Sequence, residues 1–432
     1  MSALWRSLHA IGSPAAMEDI ERWGFSIHAA LSAAGREYHN HEHVIGLAAD
    51  GDPLEVLAAL YHDAVYIQVD QGLPQSMRDE LSAVLGAGAE GWRVMPAAAE
   101  GAARDVLAVF GRSVGDTVTA TTGLNELASA LVAALQLADA LDREQRIAVV
   151  ACIEQTIPFR PDPVPELASR LAALGLGGDA LDAIVRRAVR VGNRDVENFS
   201  DNDPAKFLDS TWKLLPESNP ALHQPMVYTV RDYRLALQKM EAFLAWLPAE
   251  RVFHTWADEP KPEVHARRVA RTAGNLGLAV RYLRAKLYSI GLVEAIAEIT
   301  GGDVPLDYFM GGLKRPDRPM MKRIEQFLPR VAHADHDPDP PLRRLLAEGR
   351  ASDSSFDVGH SPLGAFLHAE VGAQTMFDGA ALAKQWWGGA LDANGFLARQ
   401  PGRPVAAIAR AAGNIIDARR DRLFALAERL ER

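Results

Sequence analysis

Apolar residues along this chain recur mostly at spacings of three and four, and runs of β-branched residues are few. That periodicity predicts an almost wholly α-helical protein. Helices are expected over 17–34, 39–49, 53–66, 124–141, 144–157 and 179–197, and local punctuation supports them. In Asp50-Gly51-Asp52-Pro53, Asp52 is a natural N-cap, Pro53 suits the first helical position, and Glu55 follows three residues after the cap. Gly35 ends the helix before the cluster His39 to His43, and Pro158 ends the helix that carries Cys152. Between about 70 and 120 the periodicity weakens into Ala, Gly and short polar residues, as in Gly86-Ala-Gly-Ala-Glu-Gly91. This stretch reads as an insertion or a mobile excursion. Loops are marked beyond 200 by Asn202-Asp203-Pro204, by Pro216-Glu-Ser-Asn-Pro220 and by the Asp-, His- and Pro-rich run from His333 to Pro341. No internal repeat is evident.

At 432 residues the chain has room for two or three domains or one large helical body. Its formal charge of −10 gives no global attraction to nucleic acid or to an anionic membrane surface. A single cysteine, Cys152, excludes a disulfide framework or a thiolate cluster within one chain, and a reducing cytoplasm is the expected setting. No secretory signal is expected at the start. The longest apolar run, Leu127 to Ala138, is too short for a bilayer span. The basic helix with Arg267, Arg268, Arg271, Arg281, Arg284 and Lys286 is expected to be a salt-bridged face, and the pair Trp386-Trp387 to be core or interface.

The histidines are unevenly placed: His39, His41, His43 and His62 lie close together, and the next is His223. In Tyr38-His39-Asn40-His41-Glu42-His43, His39 and His43 are four residues apart and can share a helix face, with His41 pointing elsewhere. His62 and Asp63 fall on the next helix. Antiparallel packing of these two helices would gather imidazoles and a carboxylate. Such a nitrogen and oxygen set suits Mn, Fe, Co, Ni or Zn better than calcium.

The order His, adjacent His-Asp, distant Asp resembles the HD superfamily of metal-dependent phosphohydrolases. Tyr38-His39-Asn40-x-x-His43 is similar to an element of cyclic nucleotide phosphodiesterases and of a group of small bacterial HD proteins. The latter also carry His-Asp-x-Val-Tyr and Asn-Glu-x-x-Ser-Ala, matched here by His62 to Tyr66 and by Asn125 to Ala130. The resemblance spans roughly residues 20 to 200. It implies that His43, His62 and Asp63 are metal ligands, that His39 is the general acid and that Glu126 belongs to the catalytic centre. For the last ligand both Asp139 and Asp195 are candidates. Asp195 is preferred because it follows the helix Val149 to Thr156, which matches the one preceding the final Asp in alarmone-type relatives. Asn40, Arg160 and Arg194 are candidate substrate contacts, with Arg36, Asn193 and Glu197 nearby in sequence.

These readings make the chain an all-α protein. An HD-type helical bundle occupies residues 1–205, with the insertion at about 68–120, and a second helical domain of unassigned role occupies 206–432. The second domain is expected to cover the first or to pair it with another copy in a homo-oligomer. The expected activity is hydrolysis of a phosphomonoester or phosphodiester, nucleotide-like and small, using a divalent transition metal. Two alternatives are an HD-type iron oxygenase and a non-catalytic nucleotide-sensing protein. The absence of histidine between Ala64 and Asp195 weighs against a His-rich diiron centre.

Overall fold

Capping chemistry and buried faces set the helix ends in the computed structural model, which describes residues 1–224, 227–311, 322–331 and 338–432. The described residues form 20 α-helices and three short strands, a predominantly all-α architecture. They divide into two units, one of residues 1–200 with 248–273, the other of 201–247 with 274–432. The run around His333 and His336 lies outside the described residues. Among the described residues no helix is long and apolar enough to cross a membrane.

The first unit opens with α1 (Ser2–Ala10), α2 (Met17–Leu31), α3 (His41–Ala48) and α4 (Pro53–Tyr61). Asp52 caps α4 by accepting from the backbone N–H groups of Leu54 and Glu55, each at 3.0 Å. That helix ends at Tyr61, short of the predicted residue 66. Past His62 and Asp63 the backbone donors are claimed from outside: Ser129 Oγ accepts from Val65 N–H at 3.0 Å, and Asn125 Oδ1 from Ile67 N–H at 3.1 Å. Donors satisfied by side chains of another helix have no need of the intrahelical carbonyl four residues back.

The 70–120 stretch is folded rather than an excursion. After α5 (Ile67–Asp70) and α6 (Arg78–Val84) come β1 (Leu85–Gly88), β2 (Gly91–Val94), α7 (Gly101–Phe110) and β3 (Thr117–Val118). The strands make an antiparallel sheet in the order β1-β2-β3. Gly91 at φ 145° turns the hairpin, and a Cβ there would meet the Val118 carbonyl oxygen at 2.9 Å. Met77, Leu81, Val94, Val106 and Val109 are fully or nearly fully buried and join the same core as α1 to α4. The exposed positions of the hairpin are Ala87, Gly88 and Arg93, so the weak periodicity reflects a small solvated hairpin.

Three helices complete the centre of this unit: α8 (Leu124–Gln136), α9 (Arg143–Gln155) and, after α10 (Pro163–Ala173), α11 (Gly178–Asp195). Residues 127–134 of α8 and 147–155 of α9 are buried all round, the pattern of central helices. α9 packs against α11 at Gly192, where a Cβ would lie 2.6 Å from the Gln155 carbonyl oxygen. The segment 248–273 is held to α11 by the buried Asn193, whose amide accepts from His254 N–H and donates to its carbonyl, both at 2.9 Å. Asn193 is therefore a structural clamp rather than a substrate contact.

In the second unit, α12 (Pro204–Ser218) is followed by α13 (Val230–Trp246), whose Arg234 grips Glu294 with two bonds of 3.1 Å. Glu294 lies on α14 (Pro262–Thr300), where Arg281, Arg284 and Lys286 donate to Asp339, Glu241 and Asp357. Arg281, Arg284 and Lys286 are thus salt-bridged, and Arg268 pairs with Glu197. Trp386 is buried and stacks on Phe396, and the guanidinium of Arg234 lies over Trp387.

The tight α9/α11 crossing yields a first prediction. Gly192→Ala should destabilise the protein by about 1–3 kcal/mol, because backbone must move to admit one methyl group. Urea unfolding measures this, and an unchanged midpoint would contradict the crossing described.

Candidate metal centre

Four helices of the first unit deliver the site. Asn40 is the N-cap of α3: its Oδ1 accepts from Glu42 and His43 N–H, and its Nδ2 donates to the Glu37 carbonyl at 2.9 Å. That cap starts α3 at His41 and places His43 on its first turn, with His39 just before the helix. α4 ends where His62 begins, so His62 and Asp63 sit at a helix terminus whose direction is fixed by Asn125 and Ser129 of α8. Asp195 is the last residue of α11. Residues 152 positions apart thereby meet: His43 Nε2 lies 3.0 Å from Asp195 Oδ1.

His62 Nε2 lies 2.9 Å from Asp63 Oδ2 and 3.3 Å from Asp195 Oδ1, and His43 Nε2 lies 3.6 Å from Asp63 Oδ2. His43, His62 and Asp195 each offer one donor atom within 4.8 Å of the other two, and Asp63 Oδ2 stands beside both imidazoles. At metal–ligand bonds of about 2.1 Å, neighbouring ligands stand about 3.0 Å apart in an octahedron and about 3.4 Å apart in a tetrahedron. The four distances bracket those edges. His62 Nε2 and Asp63 Oδ2 are buried and have no hydrogen-bond partner, so their 2.9 Å approach is not an aligned hydrogen bond. Nδ1 of His62 lies 2.8 Å from the Ala59 carbonyl. A carbonyl only accepts, so the proton belongs on Nδ1 and the Nε2 lone pair faces the cluster, the arrangement found behind metal-bound histidines. These donors fit a divalent transition metal.

Electrostatics describe the same need for a cation. Burial alone would lower the His62 pKa, yet the carboxylates of Asp63 and Asp195 outweigh it and hold the imidazole well above its ordinary value. Burial would raise both aspartates. Instead His62, His39 and His43 hold Asp63 far below the usual carboxylate range, and His43 and His62 bring Asp195 down to about 2. Without a metal ion, a proton on His62 serves as the neutralising charge. Glu126 behaves oppositely. Burial, with the negative charge of Asp63 and Asp195 adding to it, pushes this carboxyl up to about 7 against the pull of its own backbone hydrogen bond.

His39 stands beside the cluster, its ring edge-on to Tyr38, Tyr66 and His43 at centroid distances of 4.9, 4.8 and 5.9 Å. Asp139 lies exposed in the turn after α8, and Asp195 occupies the position between the histidines. The candidate substrate contacts are engaged locally. Both ends of the Asn40 amide serve the α3 cap. Arg160 donates to the Glu154 carboxylate at 2.6 Å and to its carbonyl at 2.9 Å, and Arg194 donates to the buried Glu55 at 2.6 Å. Glu197 pairs with Arg268. Asn125 and Ser129, whose side chains hold the backbone beyond Asp63, were not assigned by sequence reasoning, although the Asn-Glu-x-x-Ser-Ala pattern contains both. No family model, no curated protein and no solved structure matches the chain.

The raised Glu126 carboxyl predicts a pH dependence in metal-stripped protein. The folded chain keeps this proton up to about pH 7, whereas the unfolded chain releases it near 4.5. The folded state binds the extra proton between those values, so this group's contribution makes stability fall as pH rises through that window. Glu126→Gln should raise stability at about pH 7.5 relative to about pH 5, by up to about 3 kcal/mol. Urea unfolding at both pH values tests this, and identical wild-type and mutant differences would refute it. Asp195→Ala should abolish metal binding, and Asp139→Ala should leave it intact, as measured by elemental analysis.

Proposed function

We propose that the first unit hydrolyses a phosphomonoester or phosphodiester of a small, nucleotide-like molecule with a divalent transition metal, in the manner of the HD superfamily that residues 20 to 200 resemble. The observation that carries this reading is the convergence of His43, His62, Asp63 and Asp195, with unpartnered buried donor atoms on His62 and Asp63. Those four residues would hold the ion. A divalent ion there supplies Lewis acidity, which lowers the pKa of water toward about 7 and offsets the negative charge that shields a phosphoryl group from attack.

The protein's own residues do the rest. Asp63 orients the attacking water, and His62, fixed by the Ala59 carbonyl, presents its lone pair without rotating. His39, beside the cluster and flanked by Tyr38 and Tyr66, holds a proton for the departing oxygen. Glu126 retains a proton near neutral pH and can exchange it with water at the site.

The double variant His62→Ala/Asp63→Ala should lose both bound metal and phosphoesterase activity. His39→Ala should keep the metal and lose about 10²- to 10⁴-fold in kcat. Elemental analysis followed by a phosphoester and nucleotide panel with the metal found tests both. Turnover retained by the double variant, or full activity in His39→Ala, would overturn the assignment.

A further inference from the structure

We propose that Arg36 is a positioning residue that sets the proposed acid and a proposed metal ligand with one buried guanidinium; this rests on the metal-centre reading above. Its sequence position beside the Tyr-His-Asn-x-x-His element suggests a phosphate contact, but its side chain is fully buried and its donors are committed elsewhere. Nε and Nη2 grip the Asp70 carboxylate as a fork, at 2.9 and 2.6 Å. Nη1 donates to the Asp63 carbonyl at 2.6 Å and to the His39 carbonyl at 3.4 Å.

These bonds join two separate pieces of chain at one point. His39 belongs to the connection between α2 and α3, and Asp63 to the turn after α4. The second oxygen of Asp70 also accepts from Tyr66 N–H at 3.2 Å, and the Tyr66 ring is edge-on to His39. Asp70 thus anchors the guanidinium, the guanidinium holds both carbonyls, and the ring limits where His39 can turn. A planar fork reaching four acceptors in two directions is a task for arginine that a lysine ammonium cannot reproduce. Groups standing behind metal ligands typically contribute about 10- to 100-fold in metal affinity or activity.

The test separates positioning from mere stabilisation. A buried ion pair can often be replaced by apolar residues of similar size without loss of stability. The double variant Arg36→Met/Asp70→Leu is therefore compared with Asp70→Asn and Arg36→Lys in the full-length protein. Thermal unfolding shows which variants fold, and titration with Co²⁺ reads affinity and the visible ligand-field spectrum. Folded variants should bind Co²⁺ about 10- to 100-fold more weakly with an altered spectrum, and Arg36→Lys should not rescue either. Wild-type affinity and spectrum in any folded variant would overturn the proposal. Should the wild-type protein itself not bind Co²⁺, the metal-centre reading fails, and that outcome is recognised before any variant is made.

Discussion

Two carboxylate oxygens, each within 2.9–3.6 Å of the same two imidazole nitrogens, are tolerable in a half-dry site only if positive charge stands among them. Much of the first unit is built to keep those atoms together in spite of that cost. The Asn40 cap fixes where α3 starts, the Asn125 and Ser129 side chains fix where α4 stops, and the bare Gly192 lets α11 come close enough to α9 for Asp195 to arrive. Each device acts on backbone rather than on the four side chains themselves. Those side chains therefore keep their lone pairs, and positive charge on His62 relieves the tension among them.

Local signals made much of this legible. The Asp52-Pro53 cap, the helical periods and the clustered histidines needed no knowledge of tertiary structure. What stayed hidden depended on partners remote in the chain. The end of α4 at Tyr61 could not be read because its cause, Ser129, lies 64 residues on from Val65. Arg194 looks free until Glu55, 139 residues earlier, is seen to hold it. Asn40 was readable in principle, since asparagine before a helix is a favoured cap, but the histidines around it drew it into the chemistry. Between Gly86 and Val94, the glycines at 86, 88 and 91 signalled a turn between short strands that a helical expectation passed over.

The second unit follows a different electrostatic rule. Its long basic helix reads, in sequence, as a salt-bridged face. In the structure Arg281, Arg284 and Lys286 are each spent on a carboxylate, and Asp357 collects Trp212, Tyr233 and Lys286 at once. Charge counted along a helix therefore overstates the field that solvent meets. Only pairing across helices decides it.

The separation of 152 residues between His43 and Asp195 has a consequence for how the protein is made. Contacts of such long range close late, after the intervening loops have lost their freedom. On the ribosome the histidines emerge long before α11, so the nascent chain carries an incomplete cluster while the 152 residues from His43 to Asp195 are made. Assembly of the cluster is then an event of completed folding and cannot nucleate it, and a chain interrupted before Asp195 would carry the histidines without their carboxylate partner from α11.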